Sequence, residues 1–319
     1  MKKLLSYSVV LFVLTVILLL IIPLPAAIVD VAIILNMSLS LMILVITMTI
    51  REPLEFAIFP SLLLITTLFR LGINVSTTRN ILSNAGSSGQ IIKAFGDFIL
   101  QGNVVVGLVI YFIIVLMQFI VITKGAERVS EVAARFTLDA MPGKQMAIDA
   151  DLNTGAITDE EAKERREKIQ SEAAFFGSMD GATKYVKGDA TAGLLITVIN
   201  FVGGLILGIV MNGMEAQAAL QTYSILTIGD GLTSQIPSLM ISLATGVLVT
   251  KGTKDADVGG VLQKQLLGTP KVLLIVGCAL IGLGVFTPMN ILIFSGYGIF
   301  FIITSRMMTN ELEMEETDA

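Results

Sequence analysis

The sequence contains no histidine, no tryptophan and a single cysteine, and only 15% of its 319 residues are Asp, Glu, Lys or Arg. Each shortage removes a class of chemistry. Without histidine there is no Ser-His-Asp triad, no Cys-His nucleophile pair and no imidazole metal ligand. One cysteine, Cys278, makes neither an internal disulfide nor a thiolate cluster, and the apolar run around it predicts a packing role. A net charge of −5 and a pI of about 4.9 argue against nucleic acid as a partner. No G-x-x-x-x-G-K-[ST] phosphate loop is present, since Gly143-Lys144-Gln145 lacks both the upstream glycine and the hydroxyl. Neither an enzyme activity, a metal nor a cofactor is expected.

What the sequence has instead is apolar surface. Residues of the set AVILMFWYC make up 54%, with a mean hydropathy of +0.83. A water-soluble domain of this length cannot hide that much. The expected fold is an all-α, polytopic membrane protein.

Charge-free stretches place the spans, because a helix crossing the hydrocarbon needs about 20 apolar residues. They fall at 4–22, at 31–50, at 56–69, within 98–123, within 190–214, at 216–250 and at 272–305. The first exceeds the roughly 7–15 apolar residues of a signal peptide and reads as a retained anchor. The third is short and is expected to borrow length past Arg70 by snorkelling. The sixth is interrupted by Gly229-Asp230-Gly231 and by Pro237, and reads as one long, broken helix. The last is broken at Thr287-Pro288-Met289-Asn290 into a helical hairpin, which brings the total to about eight transmembrane helices.

Cation placement sets the orientation. With both termini in the cytoplasm, 18 of the 21 Lys and Arg residues lie on that side, leaving Arg70, Arg79 and Lys93 outside. The expected organisation is spans one to four in 1–123 with an outer loop at 70–99, a cytoplasmic segment at 124–189, spans five to eight in 190–307, and a closing stretch at 308–319. In the outer segment Ile91, Ile92, Phe95, Phe98 and Ile99 form a helical stripe, with Lys93 and Asp97 off it. This predicts a short amphipathic helix.

Residues 124–189 hold 23 of the 47 charged side chains, 10 basic and 13 acidic. Helical periodicity and few Gly, Pro or Ser residues predict a folded helical insertion between the fourth and fifth spans. Arg128, Arg135 and Asp139 share one helix face, and Arg135 can pair with Asp139 across a turn. By spacing alone this is a solvated, salt-bridged helix continuing out of the fourth span. Asp149, Asp151, Asn153 and Glu160 copy four positions of a calcium loop, but Thr154 stands where the sharp turn needs glycine, so capping or turn roles are expected.

Gly204 and Gly208 permit close helix approach in the fifth span. Ionisable groups at membrane depth are functional candidates. Asp230, between two glycines, reads equally as part of an ion path or as a structural helix break. Asp30, near a span end, reads as structural.

Three segments are specific enough to carry a resemblance: LFRLGINVSTTRNIL at 68–82, LTIGDGLTSQIPSLMISLATGVLVTK at 226–251, and residues 95–190. The last contains ERVSEVAARFTLDAMPGKQMAIDADLNTGAITDEEAKERREKIQSEAAFFGSMDGATKYVKGDA. Together they resemble the FHIPEP family, the export-gate proteins of flagellar and injectisome type III secretion, across essentially the whole chain. The resemblance implies a multi-pass inner-membrane protein assembled as a homo-oligomeric ring of about nine subunits. It also implies other export-apparatus membrane subunits and export substrates as partners, with proton motive force coupled to passage of unfolded substrates. The family's functional loop residues map onto Arg128, Arg135, Asp139, Asp180, Lys184 and Asp189, the last at the channel's inner mouth. Residues 310–319 would begin an acidic linker to a cytosolic domain that docks chaperone–substrate complexes. The competing reading is a secondary transporter for an ion or small solute, which predicts internal repeats of its spans, and none is visible. A purely structural ring scaffold would leave Arg128, Asp189 and Asp230 replaceable.

Overall fold

The computed structural model describes residues 11–12, 14–18, 20–22, 24–83, 88–100, 103–251, 268–286 and 291–318, of which 286 and 309–318 by backbone only. Among these residues all regular structure is helical. The first unit, within residues 1–253, contains α1 (Ala26–Thr49), a short 3₁₀ turn (Pro53–Phe56), α2 (Phe59–Ser83), α3 (Gln90–Leu100) and α4 (Val104–Met117). It continues with α5 (Lys124–Asn153), α6 (Asp159–Ile206) and α7 (Ala216–Thr250). The second unit, within residues 254–319, contains α8 (Pro270–Phe286) and α9 (Ile291–Asp318).

Six of the described helices are long and apolar enough to cross a membrane, and Pro270–Val285 is a shorter apolar helix. Much of the first span, the break at 287–290 and the lysines at 254 and 264 lie outside the described residues.

Local chemistry explains where several helices begin. The Asn103 side chain accepts from the backbone N–H groups of Val105 and Val106 at 3.1 and 3.2 Å, capping α4. Thr158 and Glu161 form a reciprocal capping box on α6, at 2.9 and 3.2 Å. Helix α3 is capped from elsewhere in the chain. The Asp30 carboxylate accepts from the N–H groups of Gln90 and Ile91 at 2.9 and 3.3 Å. Gly89, at φ +103°, lies so close that a side chain would collide with that carboxylate. Asp30 is therefore structural, as its sequence position implied.

The charged segment is a helical hairpin continuous with two apolar helices. A π-helical stretch, Gln118–Thr123, joins α4 to α5, giving 50 helical residues from Val104 to Asn153. With the π-helical stretch Leu207–Met211, α6 extends over 53 residues. Four ion pairs keep one antiparallel register along α5 and α6: Glu127–Lys187, Lys144–Glu172, Asp149–Arg166 and Asp151–Arg165, at 2.9, 2.8, 2.6 and 3.3 Å. Asp149 and Asp151, the leading carboxylates of the calcium-like spacing, are thus held by arginines on helix.

Four expectations are corrected. Helix α2 runs for 25 residues, Phe59–Ser83, so residues 70–83 of the expected outer loop are helical and Arg70 is buried rather than snorkelling. Helix α7 is not broken at Gly229-Asp230-Gly231, because both glycines sit in close helix contacts that hold the turn in place. Cys278 is exposed on α8 rather than packed. On α3, Ile92, Gly96 and Leu100 are buried, whereas Phe98 of the predicted stripe is exposed. The buried face follows Gly96, which lies against the carbonyl of Ile225 on α7.

Several glycines let helices approach closely, as is common where lipid tails remove most of the hydrophobic drive between helices. The Tyr223 ring lies across both Gly204 and Gly208, realising the close approach expected at that pair. In the second unit, Gly277 and Gly298 face each other's carbonyls, and the Ser305 hydroxyl donates to the Pro270 carbonyl at 2.6 Å. These contacts define an antiparallel α8–α9 hairpin. Residues 309–318 continue α9.

Candidate ion-coupling site

Four helices carry polar residues at three- and four-residue spacing on faces that meet inside the first unit. Helix α2 contributes Arg70, Asn74 and Thr77; α6 contributes Asp189, Thr197 and Asn200, with Gly193 at the position between the first two; α7 contributes Asp230, Ser234 and Ser238. Helix α4 and its π-helical extension contribute Tyr111 and Gln118. Such spacing puts each set on one helix face. Polar groups buried among apolar helices are costly unless they pair, and they mark functional paths in membrane proteins.

Two carboxylates define the two ends of this track. Asp189 accepts a 2.6 Å charged hydrogen bond from Arg70, and the two side chains are 2% and 1% exposed. The second Asp189 oxygen and the Arg70 Nε and Nη2 atoms have no hydrogen-bond partner among the described residues. The Arg70 and Asp189 residues also line a cavity of about 30 Å³, together with Asn74, Gln118, Ser234, Gln235 and Ser238. A space of that size with polar groups in its lining suits one or two water molecules. Asp189 also borders an open groove of about 360 Å³, lined by Thr67, Leu71, Lys184, Tyr185, Gly188 and Ala192. Asp189 therefore lines both an open groove and a partly open cavity that polar side chains border.

Asp230 is the second end. The Asn200 amide donates to it at 2.9 Å, and the Thr77 hydroxyl stands beside it. Its other oxygen has no hydrogen-bond partner among the described residues. Asp189 and Asn200 are eleven residues apart on α6, a separation of about 16 Å. The two carboxylates thus belong to separate sites on one track.

The remaining sequence candidates lie elsewhere. Lys184 and Asp180 pair with each other across one turn at 2.9 Å, near the mouth of the groove. Arg128 pairs with Glu131 at 2.7 Å and Arg135 with Asp139 at 3.8 Å, all on the outer face of α5. With side chains 71%, 83% and 70% exposed, Arg128, Arg135 and Asp139 join neither buried site. Exposed pairs of this kind contribute about 0–1 kcal/mol. Arg135→Ala is accordingly expected to change thermal stability by less than about 1 kcal/mol. Loss of function with that stability intact, measured by secretion and melting side by side, would assign Arg135 to a contact with another molecule.

Sequence reading missed Arg70 as a partner, and with it Tyr111, Gln118, Thr197, Asn200 and Gln235. The signal was there as polar residues at helical spacing inside apolar runs. What no spacing shows is which stripes face one another.

Comparison with known proteins places the chain in a family. The FHIPEP family profile matches residues 16–319. The Flagellar biosynthesis protein FlhA of Bacillus subtilis is 56% identical over 246 residues, covering 77% of this chain and 36% of that protein. FlhA of Salmonella typhimurium is 51% identical over 251 residues, covering 77% and 36%. The Low calcium response locus protein D of Yersinia pestis is 53% identical over 237 residues, covering 74% and 34%. The chain thus spans about a third of the length of these curated relatives. No solved structure matches. With nearly every residue inside the family profile, the chain is a member of the FHIPEP family.

Proposed function

We propose that this chain is an inner-membrane component of a flagellar or type III protein export apparatus, in which it forms an oligomeric gate and couples proton motive force to passage of unfolded substrates. Family membership and the names of the relatives support the export role. One observation carries the coupling role: Asp189 lines both an open groove and a cavity that polar side chains border and is buried against Arg70, with a second carboxylate, Asp230, further along the same track. With no histidine in the sequence, carboxylates are the groups available to take up and release protons. In this reading the α5–α6 hairpin and both termini are cytoplasmic, about eight helices span the membrane, and about nine copies form a ring that has other export-apparatus membrane subunits as partners.

Asp230→Asn tests this in cells whose export depends on the chain. The variant keeps the hydrogen-bond geometry at Asn200 and is expected to insert normally while secretion falls by roughly a hundred-fold, the scale for removing a proton-transferring group. Secretion at the wild-type level would defeat the coupling role of Asp230. Particle images of the purified chain in nanodiscs address assembly: a ring of about nine is expected, and a monomer would favour a self-contained transporter.

A further inference from the structure

The two carboxylate sites are about 16 Å apart along α6, and one side chain lies between them on both helices that bear them. Tyr111 of α4 is 1% exposed. Its hydroxyl is 3.1 Å from Thr197 Oγ1, on α6 between Asp189 and Asn200. The Gln235 amide reaches the same hydroxyl at 3.4 Å, on α7 between Ser238 and Asp230. The hydroxyl also lies against Gly231, next to Asp230, where any side chain would collide with it.

The direction of these bonds follows from their neighbours. Thr197 spends its own proton on the Gly193 carbonyl at 3.0 Å, so its oxygen accepts from Tyr111. Gln235 donates to the Tyr111 oxygen, and its backbone carbonyl is held by the Gln118 amide at 2.9 Å. The tyrosine hydroxyl thus closes a circuit across α4, α6 and α7 and is hydrogen-bonded to neither carboxylate. A phenylalanine would fill the same volume among apolar helices without a polar atom to satisfy.

We infer that Tyr111 is a latch: its ring separates the Arg70–Asp189 cavity from Asp230, and its bonds to Thr197 and Gln235 hold that separation closed. The latch is a positioning element for the coupling proposed above and rests on that reading. Opening requires the ring to leave the glycine contact at Gly231 while the two bonds break, which connects the cavity to Asp230.

The test is proton uptake into membrane vesicles carrying the full chain, read with a pH-sensitive dye under an imposed potential and without export substrate. Tyr111→Phe keeps the ring and loses both bonds, of which the 3.4 Å Gln235 contact is the longer; it is expected to raise uptake at least roughly fivefold, the equivalent of one net hydrogen bond. Thr197→Val is expected to raise it similarly, whereas Thr197→Ser retains the acceptor and stays at the wild-type level. Adding Asp189→Asn to Tyr111→Phe is expected to abolish the gain. Uptake that is unchanged or lowered in Tyr111→Phe, with Asp189→Asn alone still reducing the wild-type signal, overturns the latch and leaves the coupling role standing. Wild-type and Tyr111→Phe vesicles both indistinguishable from empty ones, or Asp189→Asn without effect in either background, overturn the coupling role and the latch with it.

Discussion

Asp189→Asn is expected to leave the chain folded and inserted while secretion falls by roughly a hundred-fold, and Asp189→Ala is expected to fail earlier, by losing stability. The difference follows from the Arg70 contact. Asparagine still offers an oxygen to the guanidinium at the position now 2.6 Å away, although it cannot carry a charge. Alanine leaves the Arg70 guanidinium buried with neither charge partner nor hydrogen-bond acceptor, the full cost of breaking a buried pair, about 3–5 kcal/mol, of which the asparagine oxygen recovers the hydrogen bond. The double variant Arg70→Met/Asp189→Leu removes both charges and is expected to recover most of that stability, because apolar side chains replace a buried ion pair at little cost. It is not expected to recover secretion. Melting in detergent for the single and double variants, with membrane content and secretion measured alongside, separates the structural part of the pair from its functional part. Full secretion by the stable double variant would reduce the pair to a packing element.

Gly229→Ala is expected to be among the most destabilising single-methyl additions in the chain. Helix α3 meets α7 through backbone at this point. A Cβ at Gly229 would collide with the Ile92 carbonyl, and at Gly96 with that of Ile225. Backbone does not swing aside as the end of a flexible side chain does, so the cost is expected at the upper end of overpacking, about 3 kcal/mol. It also disturbs the turn that presents Asp230 to Asn200. The contrasting substitution is Gly177→Ala on α6, where nothing lies within 4 Å of the added methyl. There the better helix propensity of alanine is expected to stabilise by about 0.5–1 kcal/mol. Protease resistance and melting of the two variants check the pair of outcomes. Equal effects would show that the α3–α7 contact is looser than this geometry.

These contacts also show how far the sequence could be read. Apolar runs and the mixed-charge segment were enough to predict an all-α chain with a charged helical stretch, because each depends only on composition along one helix. The interruptions were harder. Gly229 and Gly231 read as a break because glycine weakens an isolated helix, whereas here they admit the Ile92 carbonyl and the Tyr111 hydroxyl. The same glycine serves either purpose, and only the neighbouring helix decides which. Arg70 read as an interfacial cation because its partner, Asp189, is 119 residues away in the sequence. The exposed row Arg128, Arg135 and Asp139 was placed correctly on one face by spacing; its connection to function came from resemblance alone, and the fold keeps it apart from the buried track.

The central claim is that a change of charge at Asp189 links the proton gradient to export. The most direct measurement is the secretion rate as a function of an imposed proton gradient, in wild type and Asp189→Asn at equal membrane content. The wild-type rate is predicted to rise steeply with the gradient, and the rate of Asp189→Asn to stay low and flat. A variant whose rate climbs with the wild-type slope would contradict it.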